Sequence, residues 1–134
     1  MEVEVERSSG RIQVTRAVCA HDCGLMINPD AVQNQVEGCI VQTLSRALYE
    51  GVVWDRDRVT SIDWAGYPIL RFPQAPPIEV DLMQHLDQPP LGVGEPAPVA
   101  AALGNAVFDA TGVRFRTVPL RAERVKAGLD AKGG

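Results

Sequence analysis

With 134 residues, 46% of them hydrophobic and 22% charged, the chain can form one folded domain, since a chain this long buries roughly two thirds of the surface it exposes when unfolded. Its net charge of −4 is spread without any basic run, which argues against a nucleic-acid partner. No apolar run is long enough to cross a bilayer, and the opening "MEVEVERSSG" is acidic and alternating where an export signal would be basic and then apolar; no targeting signal is expected, and location, cytoplasmic or periplasmic, stays open.

The segment 11–20, "RIQVTRAVCA", has strand character, with Ile12, Val14, Arg16 and Val18 at alternate positions. The alternating residues before it offer a partner, and Ser8, Ser9 and Gly10 supply the turn of an N-terminal hairpin. After "HDCGLMINPD" a long helix is predicted. Asn28 suits the N-cap and Pro29 the first helical position, while Val32, Val36, Ile40, Leu44, Ala47 and Leu48 recur at helical spacing to about Tyr49. Gly51 is expected to end it. Gly38 inside this helix costs about 1 kcal/mol relative to alanine, and such a glycine often admits close approach to the backbone.

"GVVWDRDRVTSI" reads as a short second hairpin around "DRDR", with Trp54 and Ile62 available for burial. Eight of the ten prolines fall in residues 66–98, so that third of the chain is expected to be an ordered, extended loop holding one strand, "PIEVDLMQHL". From Pro96 the pattern is helical again, with Val99, Leu103, Ala106, Val107 and Ala110 on one face and Thr111-Gly112 as the stop. "VRFRTVPL" alternates as a strand would, and "RAERVKAGL" predicts a last helical turn or two before a frayed end. These elements predict a single α+β domain over 1–134, in two layers, with a mixed sheet carrying helices on one face and a long proline-rich ordered loop.

Three places in this chain have residues suited to chemistry. "CAHDC" puts Cys19, His21 and Cys23 at alternate positions, a sulfur and imidazole set that zinc prefers; buried thiols at a strand end are the ordinary reading. Gln35, Cys39 and Gln42 follow one side of the long helix, where an amide offers donor and acceptor to a heterocycle edge or is simply solvated. In "GVGEP", Gly92 and Gly94 let backbone approach a ligand without a Cβ in the way. Pro96 biases Glu95 toward an extended conformation at a helix entry. Glu95 is then either an acid favoured by the helix dipole or a general base held ionised near its working pH, and its local surroundings do not separate the two.

"NQVEGCIVQTLSRALYEG" followed by "GVGEPAPVAAALGNAVFDATG" resembles the C-terminal part of the molybdenum-binding large subunit of the xanthine dehydrogenase and aldehyde oxidase family. Within it the chain is most similar to the isoquinoline 1-oxidoreductase beta-subunit type, as are "VCAHDCGLMINPD" and "GVRFRTVPL". The resemblance implies a bacterial oxidoreductase that hydroxylates an N-heterocycle or aldehyde with oxygen taken from water. Glu95 would be the base for a molybdenum-bound hydroxide, Gln35 would hydrogen-bond the pterin, and Gly92, Val93 and Gly94 would bring backbone close to the metal's ligands. The cofactor would be molybdopterin, in its plain or cytosine dinucleotide form, with electrons leaving through an iron-sulfur subunit. Family large subunits are several times longer, so a fragment or split-gene piece is expected, needing the remainder of that subunit and holding no molybdenum alone. The alternatives are an α+β interaction domain without catalysis and a small zinc or thiol protein.

Overall fold

The computed structural model describes residues 1–94 and 98–133. Strand β1, Glu2–Glu6, pairs antiparallel with β2, Arg11–Asp22, through a tight turn closed by Gly10 at φ +76°. A Cβ on Gly10 would sit 2.2 Å from the Ala122 carbonyl oxygen, so this turn demands glycine for space as well as for conformation. Strand β3, Ile78–Met83, runs parallel to β2 with Ala17 opposite Ile78 and Asp22 opposite Met83. The order β1-β2-β3 is thus a mixed sheet, as the sequence leads one to expect.

The period-two reading of β2 needs one correction. Glu2 pairs with Arg16 and Val3 with Val14, so Thr15 is an extra residue, and a bulge reverses which parity faces the core. Ile12 and Val14 are buried before it, Ala17 after it, and Val18 is left exposed. Arg16 lies on the outer face, donating to Glu79 Oε1 at 2.6 Å and Oε2 at 2.7 Å and to Glu2 Oε1 at 3.1 Å. It bridges all three strands, and its hydrogen bonds hold the Glu79 carboxyl below the usual carboxylate range.

Helix α1, Pro29–Leu48, starts where Asn28 accepts a hydrogen bond from the Ala31 amide. It ends at Leu48 with Tyr49 as its C-cap, where the sequence predicts, and its last carbonyls have partners elsewhere: Ala47 O accepts from Leu120 N at 2.7 Å and Tyr49 O from Arg121 Nε at 3.2 Å. Helix α2, Pro98–Thr111, buries Val99, Leu103, Val107 and Thr111, leaves Ala110 exposed, and ends at Gly112 with φ +67°. Helix α3, Ala122–Gly133, is a full 12 residues rather than a turn or two, anchored by Val125 and Leu129. All three pack on one face of the sheet, sharing a core of Ile12, Val14, Val36, Leu44, Leu103 and Val125 among others.

Two expected strands differ. "VRFRTVPL" is irregular: Leu120 enters the core, while Arg114 stacks 4.1 Å over the Phe108 ring and bonds Asn105 Oδ1. The segment folds back along α2 and so pairs with neither outer strand of the sheet. The hairpin of residues 51–62 reduces to one bridge, Trp54 with Val59, and leaves Trp54 70% and Ile62 83% exposed. The region 66–98 holds a 3-10 turn, Phe72–Gln74, and β3, with no helix before Pro98 among its described residues. Leu86 lies beyond the strand and is exposed.

Leu103 is fully buried at the centre of α2, so Leu103→Ala should cost about 2–5 kcal/mol of unfolding free energy. Ala110→Ser should stay within about 0.5 kcal/mol. Denaturant unfolding of the two variants checks both.

Candidate cofactor-binding cleft

β2 leaves the sheet at Asp22, and the next two residues set the geometry of the site. Asp22 Oδ1 accepts the Gly24 amide at 3.0 Å, closing a turn in which Gly24 has φ +69°. The turn lies against the proline-rich loop so tightly that a Cβ on Gly24 would sit 2.3 Å from the Pro89 carbonyl oxygen. The Leu91 amide donates to the Cys23 carbonyl at 2.9 Å, and Asp22 Oδ2 faces His85 Nε2 at 3.2 Å. Residues 85–91 are therefore strapped to the end of β2, and the chain that follows is delivered beside α1.

Between this strap and the first turns of α1 lies an open cleft of about 250 Å³, whose walls include Met26, Val32, Gln35, Leu91 and Val93. Among the described residues its polar side chains, besides the Cys23 thiol, are Asn28 and Gln35, and none is charged. Asn28 is committed to capping α1. Gln35 is exposed at the rim, and its Nε2 donates to Cys39 Sγ at 3.3 Å. Among the described residues a Cβ on Gly38, Gly92 or Gly94 would meet nothing within 4 Å, so the helix backbone at Gly38 and the loop on either side of Val93 are open to approach from those residues' side. Such walls fit a flat, neutral heterocycle that seeks amide hydrogen bonds and close backbone approach.

The residues singled out in the sequence are distributed unevenly. Gln35 and Val93 line the same cleft although 58 positions separate them. Gly92 and Gly94 flank Val93 and are exposed, whereas Gln42 does not line the cleft. Glu95 lies outside the described residues. The zinc reading is corrected: among the described residues no three His, Cys, Asp or Glu side chains gather as a metal site. Cys23 has left the strand for the turn and is buried, so it no longer continues the face of Cys19 and His21. Desolvation pushes the Cys19 thiol up, opposite to what a reactive thiolate needs. The strap of Asp22, Gly24 and His85 escapes sequence reasoning, although an aspartate two residues before a glycine is a recognisable turn signal.

The family model for the molybdopterin cofactor-binding domain matches residues 1–76. A nicotinate dehydrogenase chain of Pseudomonas putida is 48% identical over 134 residues, 98% of this chain and 11% of that protein. The beta chain of isoquinoline 1-oxidoreductase from Brevundimonas diminuta is 38% identical over 122 residues, 90% of this chain and 16% of that protein. The crystal structure of quinoline 2-oxidoreductase from Pseudomonas putida 86 superposes with a TM-score of 0.83 at 28% identity, covering 96% of this chain and 18% of that one. The chain therefore spans between about a tenth and a fifth of the length of these relatives.

Gly24→Ala forces a left-handed alanine against a carbonyl oxygen and should cost about 1–3 kcal/mol. It should also speed amide hydrogen exchange in residues 85–94 while leaving β1 unchanged. Wild-type exchange in that loop would show that the turn does not hold it.

Proposed function

Since this chain belongs to the molybdopterin cofactor-binding domain family, within the molybdenum-binding subunits of the xanthine dehydrogenase and aldehyde oxidase enzymes, we propose that it forms one wall of a hydroxylating active centre. The reaction is the transfer of water-derived oxygen to a carbon of an N-heterocycle or aldehyde. The relatives at 48% and 38% identity are named for nicotinate and isoquinoline, which supports the heterocycle. The observation that carries the reading is the meeting of Gln35 and Val93 on one uncharged cleft.

In this reading the cofactor, molybdopterin in its plain or cytosine dinucleotide form, supplies the metal centre that accepts the electron pair. The chain's own residues bind and orient. Gln35 offers its amide to the pterin edge. Gly92 and Gly94, with no Cβ to hold a ligand off, bring the backbone around Val93 close. Glu95, next in the chain after Gly94, takes the proton that the attacking oxygen loses, the work of a general base. The apolar walls from Met26, Val32 and Leu91 exclude water from one side. An open cleft presents a wall rather than an enclosure, so the remainder of the molybdenum subunit closes the site, and an iron-sulfur subunit carries electrons away. By the same reasoning the 134-residue chain alone binds no stoichiometric molybdenum and does not turn over, which elemental analysis of the purified chain checks.

Glu95→Gln in the complete assembled enzyme separates base from bystander. The expected outcome is a fall in kcat of about 10²- to 10⁴-fold with molybdenum content unchanged. An unchanged rate would reject the base and favour a domain that serves assembly alone.

A further inference from the structure

Gln35 has a long side chain at an exposed rim, and fixing such a side chain costs about 1.5–2 kcal/mol of rotamer entropy. An amide meant to meet a ligand gains if a neighbour restrains it beforehand. On α1 the neighbours of Gln35 toward the C-terminus on the same side are Gly38 and Cys39, three and four positions on. They are unlike each other: Gly38 leaves open space, with nothing within 4 Å of a Cβ placed there. Cys39 is 7% exposed, and its sulfur accepts the Gln35 Nε2 donor at 3.3 Å.

We propose that Cys39 is a positioning residue for the cofactor contact: its buried sulfur holds the Gln35 amide by the nitrogen and so turns the carbonyl oxygen into the group offered to the ligand. The inference rests on the reading of Gln35 as a pterin contact and adds its orientation. Gln35 Oε1 is presented to a ligand N–H, the second Nε2 hydrogen stays free beside it among the described residues, and Gly38 leaves the ligand's edge room to reach the helix. A thiol sulfur is a weak acceptor, yet the contact is intrahelical, costs no chain closure, and acts on a side chain that has no second hydrogen bond among the described residues.

The test uses the complete enzyme and follows the rate at which molybdenum is lost on prolonged dialysis against a chelator, for Cys39→Ala, Cys39→Ser, Gln35→Ala and the Gln35→Ala/Cys39→Ala pair. Cys39→Ala is expected to speed loss about three- to tenfold, the range of one modest hydrogen bond. Cys39→Ser, whose hydroxyl accepts as the sulfur does, should restore the slow rate. In the Gln35→Ala background the cysteine change should add nothing, because the group it positions is gone. Wild-type retention in Cys39→Ala with fast loss in Gln35→Ala overturns the positioning role alone. Equal defects in the alanine and serine variants, or additivity in the pair, assign Cys39 to packing and overturn it as well. Wild-type retention in Gln35→Ala overturns the pterin contact and the positioning role together.

Discussion

Gly24 lies so close to the Pro89 carbonyl that a methyl group does not fit between them, and the geometry of the cleft depends on that approach. The loop leading to Gly92–Gly94 has little regular structure of its own to place it, being proline-rich and mostly exposed. It is fixed from outside, by backbone contact with a turn that only glycine can make and by the Leu91 amide on the Cys23 carbonyl. Asp22 serves both sides, capping the turn with one oxygen and facing His85 with the other. Strand β2 thereby positions both walls, since the turn that straps the loop also leads directly into α1.

α1 is held in complementary ways at its two ends. Its C-terminal half carries most of its buried side chains, and its last carbonyls are taken up by Leu120 and Arg121. Its first turns, from Pro29 to Gln35, are largely exposed and border the cleft. A helix anchored at one end and open along the other offers a rigid edge without using core residues, which is what the proposed binding wall requires. The described cleft residues include no charged side chain, so the polar groups they present are amides, the Cys23 thiol and backbone.

The surface over residues 52–72 has a different character. Trp54, Ile62, Trp64 and Phe72 are all largely exposed, although their side chains favour burial. Within this fold the sheet's helix-covered face is filled by α1, α2 and α3, and the segment reaches α1 and the residue after its cap through Leu70 N on Ser45 Oγ and Tyr67 Oη on Glu50, which leaves these four side chains outside the core.

Much was legible in the sequence by itself. The Asn28-Pro29 cap, the apolar stripe of α1, the Gly10 and Gly112 stops and the mixed α+β composition follow from local backbone chemistry, which acts over a few residues and leaves its mark there. The family resemblance pointed to Gln35 and the Gly92–Gly94 stretch, of which Gln35 and Val93 line one cleft. What only the tertiary structure decided is where distant pieces meet. The bulge at Thr15 reversed the exposed face of β2 because its partner strand begins where it does. "VRFRTVPL" lost its strand because it packs back along α2, where Arg114 meets Asn105 and Phe108, and the Leu120 amide and Arg121 side chain that take up the last carbonyls of α1 come from about 70 positions away. The joining of Gln35 and Val93 in one cleft depends on Gly24 pressing against Pro89, two residues 65 positions apart, and no local pattern encodes a contact whose partners are brought together only by the folding of the chain between them.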